Sequence, residues 1–333
     1  MLFRSRFAEA LDLLRTALAD KPDYATARWN KSLLDLRLGN FAEGWRGYEW
    51  RWRYEGFPTP RRDLAQPLWL GDEPVAGKTV AVPWEQGLGD TIHFCRYLAL
   101  LEERGARVLF APQRPLRGLM KGLGGNVELV DLLDLLEDRV TFDYQVPLLS
   151  LPLAFATASD SIPNAAPYLR PEAVRVARWR NRLGNHGFKV GICWQGNTGN
   201  LDRGRSFPVS SFASIARLPG VRLINLHKGD GLAQLSSLPD GMEVETLGDG
   251  FDAGPDAFVD TAAVMTLCDL VITSDTAVAH LGGALGVRTW VALKAVPDWR
   301  WQCDRTDSPW YPTLRLFRQK SRGRWQPVFG DIE

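Results

Sequence analysis

The chain has 333 residues, 45% hydrophobic and 24% charged, values typical of a globular protein long enough for two domains. Its 40 basic and 39 acidic side chains give a formal net charge of +1, which argues against a nucleic-acid partner, since such partners usually require a basic face. Four cysteines (Cys95, Cys193, Cys268 and Cys303) form no C-x-x-C pair, so neither a zinc ribbon nor a redox dithiol is indicated. Because there is no apolar run of 18 residues and no apolar leader after Met1, we expect a soluble cytoplasmic protein.

The N-terminal residues repeat with the period of a tetratricopeptide array. Phe7-Ala-Glu-Ala10 recurs as Phe41-Ala-Glu-Gly44, an offset of 34 residues (41 minus 7). Leu38-Gly-Asn40 supplies a tight turn between two helices. Residues 1–54 are therefore predicted to form a short all-α tetratricopeptide-like segment. Because at least three repeats are usually needed for independent stability, we expect the segment to dock on the rest of the chain. The alternative is that it binds a protein partner.

From residue 55 onward, apolar strand patterns alternate with helical patterns. Such alternation predicts parallel sheets with crossover helices. A helix is predicted at Pro171–Leu183, and the predicted strands are Lys78–Val82, Arg107–Phe110, Val127–Val130, Phe142–Val146, Lys189–Trp194, Arg222–Leu226, Glu243–Thr246, Leu270–Thr273 and Thr289–Leu293. We therefore predict an α/β fold with two Rossmann-like lobes, at residues 55–170 and 171–333, and a ligand in the cleft between them.

A polar elbow at the end of one predicted strand indicates an anion site. The strand ends in Ser274-Asp275-Thr276, and a helix of small residues follows from Ala277. Such an elbow presents free backbone N–H groups and the positive end of a helix dipole to an anion, and small residues let a diphosphate approach closely. Asp275 could instead only cap its helix.

This elbow resembles the donor site of the heptosyltransferase-like family nine of GT-B glycosyltransferases. With the N-terminal repeat, the chain is similar to bacterial tetratricopeptide proteins that carry such a domain at the C-terminus. Supporting motifs are Gly87–Phe94, Pro147–Pro152, Leu226–Gly229 and Pro297–Trp301, and the resemblance covers about residues 5–330. It implies a GT-B fold and inverting sugar transfer from a nucleotide-diphosphate sugar, without a metal or other cofactor.

The resemblance also implies roles for single residues. Asp90 matches the aspartate of the family's Gly-Asp motif and is implied to be the general base; the alternative is an N-cap of a helix that begins at Thr91. Arg205 falls where related enzymes carry a basic residue at the donor diphosphate, where heptosyltransferases usually have lysine. Arg203 and Arg205 could alternatively coat an exposed loop. Because Arg205 stands where heptosyltransferases usually have lysine, the sequence does not predict which sugar the donor carries.

The remaining candidates are assigned to the donor site or to the cleft. The donor-site candidates are Arg205, Lys228, Ser274, Asp275, Thr276, Ala277 and His280, and the cleft candidates are Gly89, His93, Gln195 and Trp299. Each of three candidates has an alternative role without a ligand. Lys228 could be an exposed loop lysine, His280 a histidine of the core, and Trp299 a packing residue.

Two further functions fit the same sequence pattern. One is a sugar-nucleotide epimerase, which would convert the donor without an acceptor. The other is an inactive scaffold that binds the nucleotide sugar without turnover. The acceptor is open as well, and could be a glycan, a lipid-linked molecule or a protein.

Overall fold

The computed structural model describes residues 2–197 and 204–333, with side chains from residue 6 onward; Arg203 lies outside these ranges. The chain divides into two compact units. The first unit runs to Pro112 and also includes Gly125–Pro163 and Asp298–Arg305. The second comprises Gln113–Gly124, Asn164–Pro297 and Thr306–Glu333. No helix in the described ranges combines the length and the apolar character needed to cross a membrane.

The first half of the chain opens with three helices and continues with alternating strands and helices. In chain order the elements are α1 (Leu2–Asp20), α2 (Ala25–Leu38), α3 (Phe41–Tyr48), β1 (Thr79–Pro83), α4 (Leu88–Phe94), α5 (Tyr97–Glu103), β2 (Arg107–Ala111), α6 (Arg117–Met120, in the second unit), β3 (Glu128–Leu129), α7 (Leu132–Leu136), β4 (Tyr144–Gln145) and α8 (Leu151–Ala154).

The four strands of the first unit form one parallel sheet in the order β3-β2-β1-β4. Val80, Ala81 and Val82 of the central strand β1 are fully buried, as expected for a parallel strand covered on both faces. The sequence prediction of four parallel strands is confirmed here, although β3 and β4 are each only two residues long.

Helices α2 and α3 form a tightly packed hairpin. Gly39 ends α2 in the left-handed conformation (φ 86°), which glycine adopts without strain, and the predicted turn at residues 38–40 is confirmed. Gly44 lies so close to Leu36 that an added Cβ would stand 2.6 Å from its Cδ2 atom. Trp45 and Tyr48 are buried on the inner face of α3. The hairpin therefore buries its aromatic side chains inside the first unit.

A buried ion pair connects this helical segment to the first sheet. Arg51, in the 3-10 helix that follows α3, donates from Nε to Glu85 Oε2 over 2.8 Å. Its Nη2 donates to Ser150 Oγ over 2.7 Å. Trp45 Nε1 donates to the carbonyl oxygen of Thr157 over 3.0 Å. Helix α3 and the 3-10 helix that follows it therefore share hydrogen bonds with the loops of the first sheet.

The second unit contains a larger parallel sheet. Its elements in the second half of the chain are α9 (Ala173–Leu183), β5 (Phe188–Cys193), α10 (Ala213–Ala216), β6 (Val221–Asn225), α11 (Val259–Met265), β7 (Leu270–Ser274), α12 (Ala277–Ala284), β8 (Thr289–Leu293), β9 (Leu314–Arg318) and α13 (Gln326–Ile332). The strand order is β6-β5-β7-β8-β9, and every pair is parallel. Two parallel sheets with surrounding helices confirm the predicted α/β class.

Two strand predictions in this unit need correction. The predicted strand Glu243–Thr246 contributes one isolated bridge, between Glu245 and Ile224, because only residue 245 exchanges backbone hydrogen bonds with β6. Conversely, β9 was not predicted. Its buried residues are interrupted by exposed Arg315, so β9 lacks the continuous apolar run of the central strands.

Candidate functional site

In the first unit, Asp90 lies just beyond the carboxyl end of the central strand. Strand β1 ends at Pro83, a loop follows, and α4 begins at Leu88. Asp90 Oδ2 accepts a hydrogen bond of 2.9 Å from the backbone N–H of Gly87. Asp90 is therefore the third residue of α4, and the predicted helix start at Thr91 is wrong. The contact with Gly87 starts the helix earlier, because it satisfies a backbone N–H group at the helix terminus.

The second oxygen of Asp90 is held by an arginine. Arg300 Nη2 donates to Asp90 Oδ1 over 2.5 Å, and Arg300 Nη1 donates to Asp298 Oδ1 over 2.9 Å. The Asp90 side chain is 19% exposed and that of Arg300 is 7% exposed. Burial raises the pKa of Asp90, and the Arg300 charge opposes that rise. Arg300 lies within the Pro297–Trp301 motif, but the sequence did not predict its pairing with Asp90.

The other candidates of the first unit lie near Asp90. Gly89 is in the first turn of α4 and is half-buried, whereas His93, one turn further along, is fully buried. Trp299 is also buried, with its ring centroid 5.3 Å from that of Trp45 and 6.4 Å from that of Phe94. Trp299 therefore packs against the helical segment and α4, and its predicted role in lining a cleft stays a prediction.

In the second unit, side chains at the carboxyl ends of three neighbouring strands meet. Cys193, at the end of β5, places its Sγ atom 3.6 Å from Nδ1 of His227, which follows β6. The same sulfur atom lies 3.9 Å from Oγ1 of Thr276 in the predicted elbow after β7. Burial raises the pKa of the Cys193 thiol and lowers the pKa of His227. Both groups are therefore neutral and packed, and His227 is a member of the site that sequence analysis missed.

Arg205 lies directly against the elbow, as its assignment to the diphosphate requires. Its Nη1 atom donates to the backbone carbonyl oxygen of Asp275 over 3.2 Å. The guanidinium also passes close to Gly196, where an added Cβ would stand 2.6 Å from Nη2. Because glycine has no Cβ, the cation can lie flat against this backbone. The structure thus brings together two of the predicted donor-site elements, Arg205 and the Ser274–Ala277 elbow.

The elbow leads into α12 as the sequence pattern predicts. Thr276 has extended backbone angles, and the helix begins at Ala277. Ser274 is fully buried, and within the described residues its Oγ atom has no hydrogen-bond partner. The two glycines of α12 have a packing role: a Cβ on Gly282 would stand 2.3 Å from Thr289 Oγ1, and one on Gly283 would stand 2.0 Å from Tyr311 Cδ1. These two small residues are therefore explained without a ligand.

The remaining donor-site candidates have protein partners. His280 is buried, and its Nδ1 atom lies 3.0 Å from the hydroxyl oxygen of Tyr311. Lys228 Nζ donates to the carbonyl oxygens of Phe251 and Asp252 over 2.7 and 2.6 Å. Gln195 Oε1 accepts a hydrogen bond of 3.2 Å from the side chain of Gln234. Lys228 therefore ties the loop after β6 to residues 251–252.

Across residues 2–197 and 204–333, no group of three or more His, Cys, Asp or Glu side chains is arranged to hold a metal ion. The positive charge beside the elbow comes from Arg205.

No protein-family model matches the chain. It is 27% identical over 361 aligned residues to Protein FlbA of Caulobacter vibrioides, and the alignment covers 99% of this chain and 60% of FlbA. The chain thus spans about 60% of the length of this curated relative.

Two solved structures share the architecture. The glycosyl transferase of family 9 from Veillonella parvula has a TM-score of 0.56 at 13% identity, over 74% of this chain and 87% of that one. The ADP-heptose LPS heptosyltransferase II of E. coli has a TM-score of 0.52 at 12% identity, over 76% of this chain and 94% of that one. At such low identity these similarities show the fold, and the two parallel sheets of this chain are consistent with a GT-B-like glycosyltransferase fold.

Proposed function

We propose that the chain transfers a sugar from a nucleotide-diphosphate sugar to a hydroxyl group of an acceptor, with inversion and without a metal ion. The observation that supports this most is the contact of Arg205 with the elbow at the carboxyl end of β7, in a fold shared with glycosyltransferases. Ligands of open α/β sheets bind at this edge. The contact of a cation with this elbow supports the proposal that the nucleotide diphosphate binds here.

The leaving diphosphate gains negative charge as the bond to the anomeric carbon breaks. Arg205 and the free backbone N–H groups at the start of α12 are the groups that would stabilise this charge. A guanidinium forms strong charge-assisted hydrogen bonds with phosphate oxygens. In this proposal these groups replace the divalent metal that would otherwise neutralise the diphosphate.

Asp90 is the proposed general base. The acceptor oxygen attacks the anomeric carbon from the side opposite the diphosphate, so the configuration inverts in a single displacement. The hydroxyl proton passes to the Asp90 carboxylate while the bond between the anomeric carbon and the diphosphate oxygen breaks. A carboxylate at the carboxyl end of β1 is in the region of an α/β sheet where catalytic groups occur.

The proposal for the helical segment is a tetratricopeptide-like hairpin that stabilises the first sheet. The 34-residue offset (41 minus 7) aligns Phe7 in α1 with Phe41 at the start of α3. The ion pair of Arg51 with Glu85 supports the stabilising role. The domain boundaries near residues 54 and 170 are part of this proposal.

Binding of nucleoside diphosphates should not require a metal ion. We expect ADP, GDP or UDP to bind in the presence of EDTA, because the Arg205 guanidinium supplies the positive charge. Isothermal titration calorimetry with and without EDTA measures this directly. If affinity disappears with the chelator and returns with added Mg²⁺, the metal-independent reaction is wrong.

Arg205→Ala should weaken binding of a nucleoside diphosphate far more than binding of the free nucleoside. A hydrogen bond to a charged group contributes about 1.5–3 kcal/mol, or roughly a ten- to hundredfold change in affinity. The matched control is Arg217→Ala, which removes an exposed arginine of the same unit that donates to the carbonyl oxygen of Asp240. Equal losses for nucleoside and diphosphate would exclude Arg205 from the phosphate site.

A further inference from the structure

Aromatic rings of the first unit pack against the Arg300 guanidinium. The guanidinium lies 4.4 Å from the ring centroid of Trp299 and 5.4 Å from that of Phe94. The Trp299 ring is itself packed edge-on against Trp45, and its centroid lies 6.4 Å from that of Tyr48. A guanidinium between buried rings loses much of its rotational freedom. The direction of its donors towards Asp90 is therefore set by the packing of α3 and α4.

We propose that Arg300 is a positioning residue for Asp90, which it holds in one orientation and whose ionised form it favours. The inference rests on the proposed function in one respect: Asp90 must be the base for the positioning to affect catalysis. The pairing itself belongs to the first unit and can be tested without a substrate.

The orientation follows from how the carboxylate is bonded. Gly87 N–H donates to Oδ2 and Arg300 Nη2 donates to Oδ1, so each oxygen is held by its own donor. A carboxylate has about four acceptor positions. Among the described residues, Gly87, Arg300 and the backbone N–H of Asp90 itself bond to it, so a free lone pair remains. A general base needs such a free lone pair at a defined place, because proton transfer requires hydrogen-bond distance to the acceptor hydroxyl.

The charges that face Asp90 determine how easily its carboxyl group ionises. They are Arg300 and Asp298 from the 298–305 segment, with Tyr48 from α3. Burial raises the pKa of Asp90; Arg300 lowers it, and Asp298 raises it. Burial also raises the pKa of Tyr48, so its phenol stays neutral. Arg300 is thus a cation shared by two carboxylates.

Further charged groups act on Tyr48 and Asp298. Arg51 and Glu85 act on Tyr48 as a buried ion pair with no net charge. Arg37 faces Asp298 and lowers its pKa, together with Arg300. None of these charges replaces Arg300 beside Asp90. Without Arg300, the Asp90 carboxyl would therefore hold its proton to a higher pH.

The test is a direct titration of Asp90 by carboxyl ¹³C NMR in the full chain, with its signal assigned from its loss in Asp90→Asn. In Arg300→Met the pKa of Asp90 should rise by about 1–3 pH units, the usual effect of removing an adjacent opposite charge. In Arg300→Lys, which keeps the charge, the rise should be smaller. An unchanged pKa in folded Arg300→Met would overturn the proposal.

The Asp298→Asn variant gives a second test, which does not depend on whether the Arg300 variants fold. It leaves Arg300 with Asp90 alone, so the pKa of Asp90 should fall. A pKa that rises or stays the same in this variant would also overturn the proposal.

The catalytic consequence is measured separately. If donor turnover is assayed against pH, the acid limb should move to higher pH in Arg300→Met, and alkaline pH should restore part of the rate. If Asp90→Asn remains active while the titrations behave as expected, the proposed base is wrong and the pairing stands.

Discussion

Arg51→Met should lower the free energy of unfolding by about 3–5 kcal/mol, the usual effect of breaking a buried ion pair by removing one partner. The side chains of Arg51 and Glu85 are both 0% exposed. Arg51 also donates to Ser150 Oγ and to Glu49 Oε1. Methionine fills much of the same volume but leaves the Glu85 carboxyl buried without its cation. Urea denaturation of the two proteins at pH 7 measures the difference.

The matched control is Arg46→Met, five residues earlier in the helical segment. Arg46 pairs with Glu43 on the surface, where the two side chains are 65% and 63% exposed. Exposed pairs contribute about 0–1 kcal/mol, so this variant should unfold almost as the wild type does. If Arg51→Met were equally mild, the helical segment would not be anchored by this ion pair.

The loss in free energy of unfolding caused by Arg51→Met should grow as the pH rises. Burial raises the pKa of Glu85, and Arg51 is the main opposing influence. Without Arg51, the folded protein keeps Glu85 protonated above its unfolded pKa of about 4.3. Stability is then lost as pH rises towards the folded pKa, because the unfolded chain binds fewer protons. We expect Arg51→Met to lose more free energy of unfolding at pH 8 than at pH 5, relative to the wild type. At pH 8 the double variant Arg51→Met/Glu85→Gln should recover part of this loss.

The central strands could be predicted from the sequence because parallel strands buried on both faces are continuous apolar runs. Strands β1 and β7 are of this kind: Val80 to Val82 and Leu270 to Ile272 are buried without interruption. Strand β9 lacks that signal, because exposed Arg315 interrupts its buried residues. Residues 243–246 have the local pattern of a strand but gain only one bridge to β6.

Part of the candidate site could be predicted for a similar reason. An elbow between a strand and a helix is local in sequence, so Ser274 to Ala277 could be recognised from one short stretch. The contact of Arg205 with Asp275 joins positions 70 residues apart, and the position of Arg205 came only from the family resemblance.

The partner of Asp90 could not be predicted in this way. Arg300 is 210 residues away in sequence, and only the folded chain brings the two side chains together. Lys228 has contacts of the same kind: its ammonium bonds to the carbonyl groups of Phe251 and Asp252, more than 20 residues away, which the sequence could not predict. Its assignment to the donor site stays a prediction. Which polar group binds a ligand and which binds the protein is decided by tertiary packing.

Asp90→Asn should reduce turnover at least a hundredfold while leaving donor affinity unchanged. Asparagine can still accept the hydrogen bond from Gly87 N–H, but it cannot take up the acceptor's proton, and loss of a general base typically lowers the rate by about 10²–10⁴. The substitution also leaves Arg300 with Asp298 as its only carboxylate, so we expect a stability loss of about 1.5–3 kcal/mol. Turnover is followed as nucleotide release from the nucleotide sugar that most stabilises the protein in a thermal-shift screen, with water or a screened hydroxyl compound as acceptor.

Asp298→Asn is the matched control, because it separates loss of the base from loss of the ion pair. It removes the other carboxylate of Arg300, and asparagine can still accept the hydrogen bond from the Arg300 backbone N–H. Its stability should fall by a similar amount, whereas its turnover should stay within about tenfold of the wild type, since the base is intact. Equal loss of turnover in both variants would mean that the rate depends on the Arg300 ion pairs as a structural unit. Near-normal turnover in Asp90→Asn would exclude Asp90 as the base, and buried His93, one turn along α4, would be the next side chain to substitute.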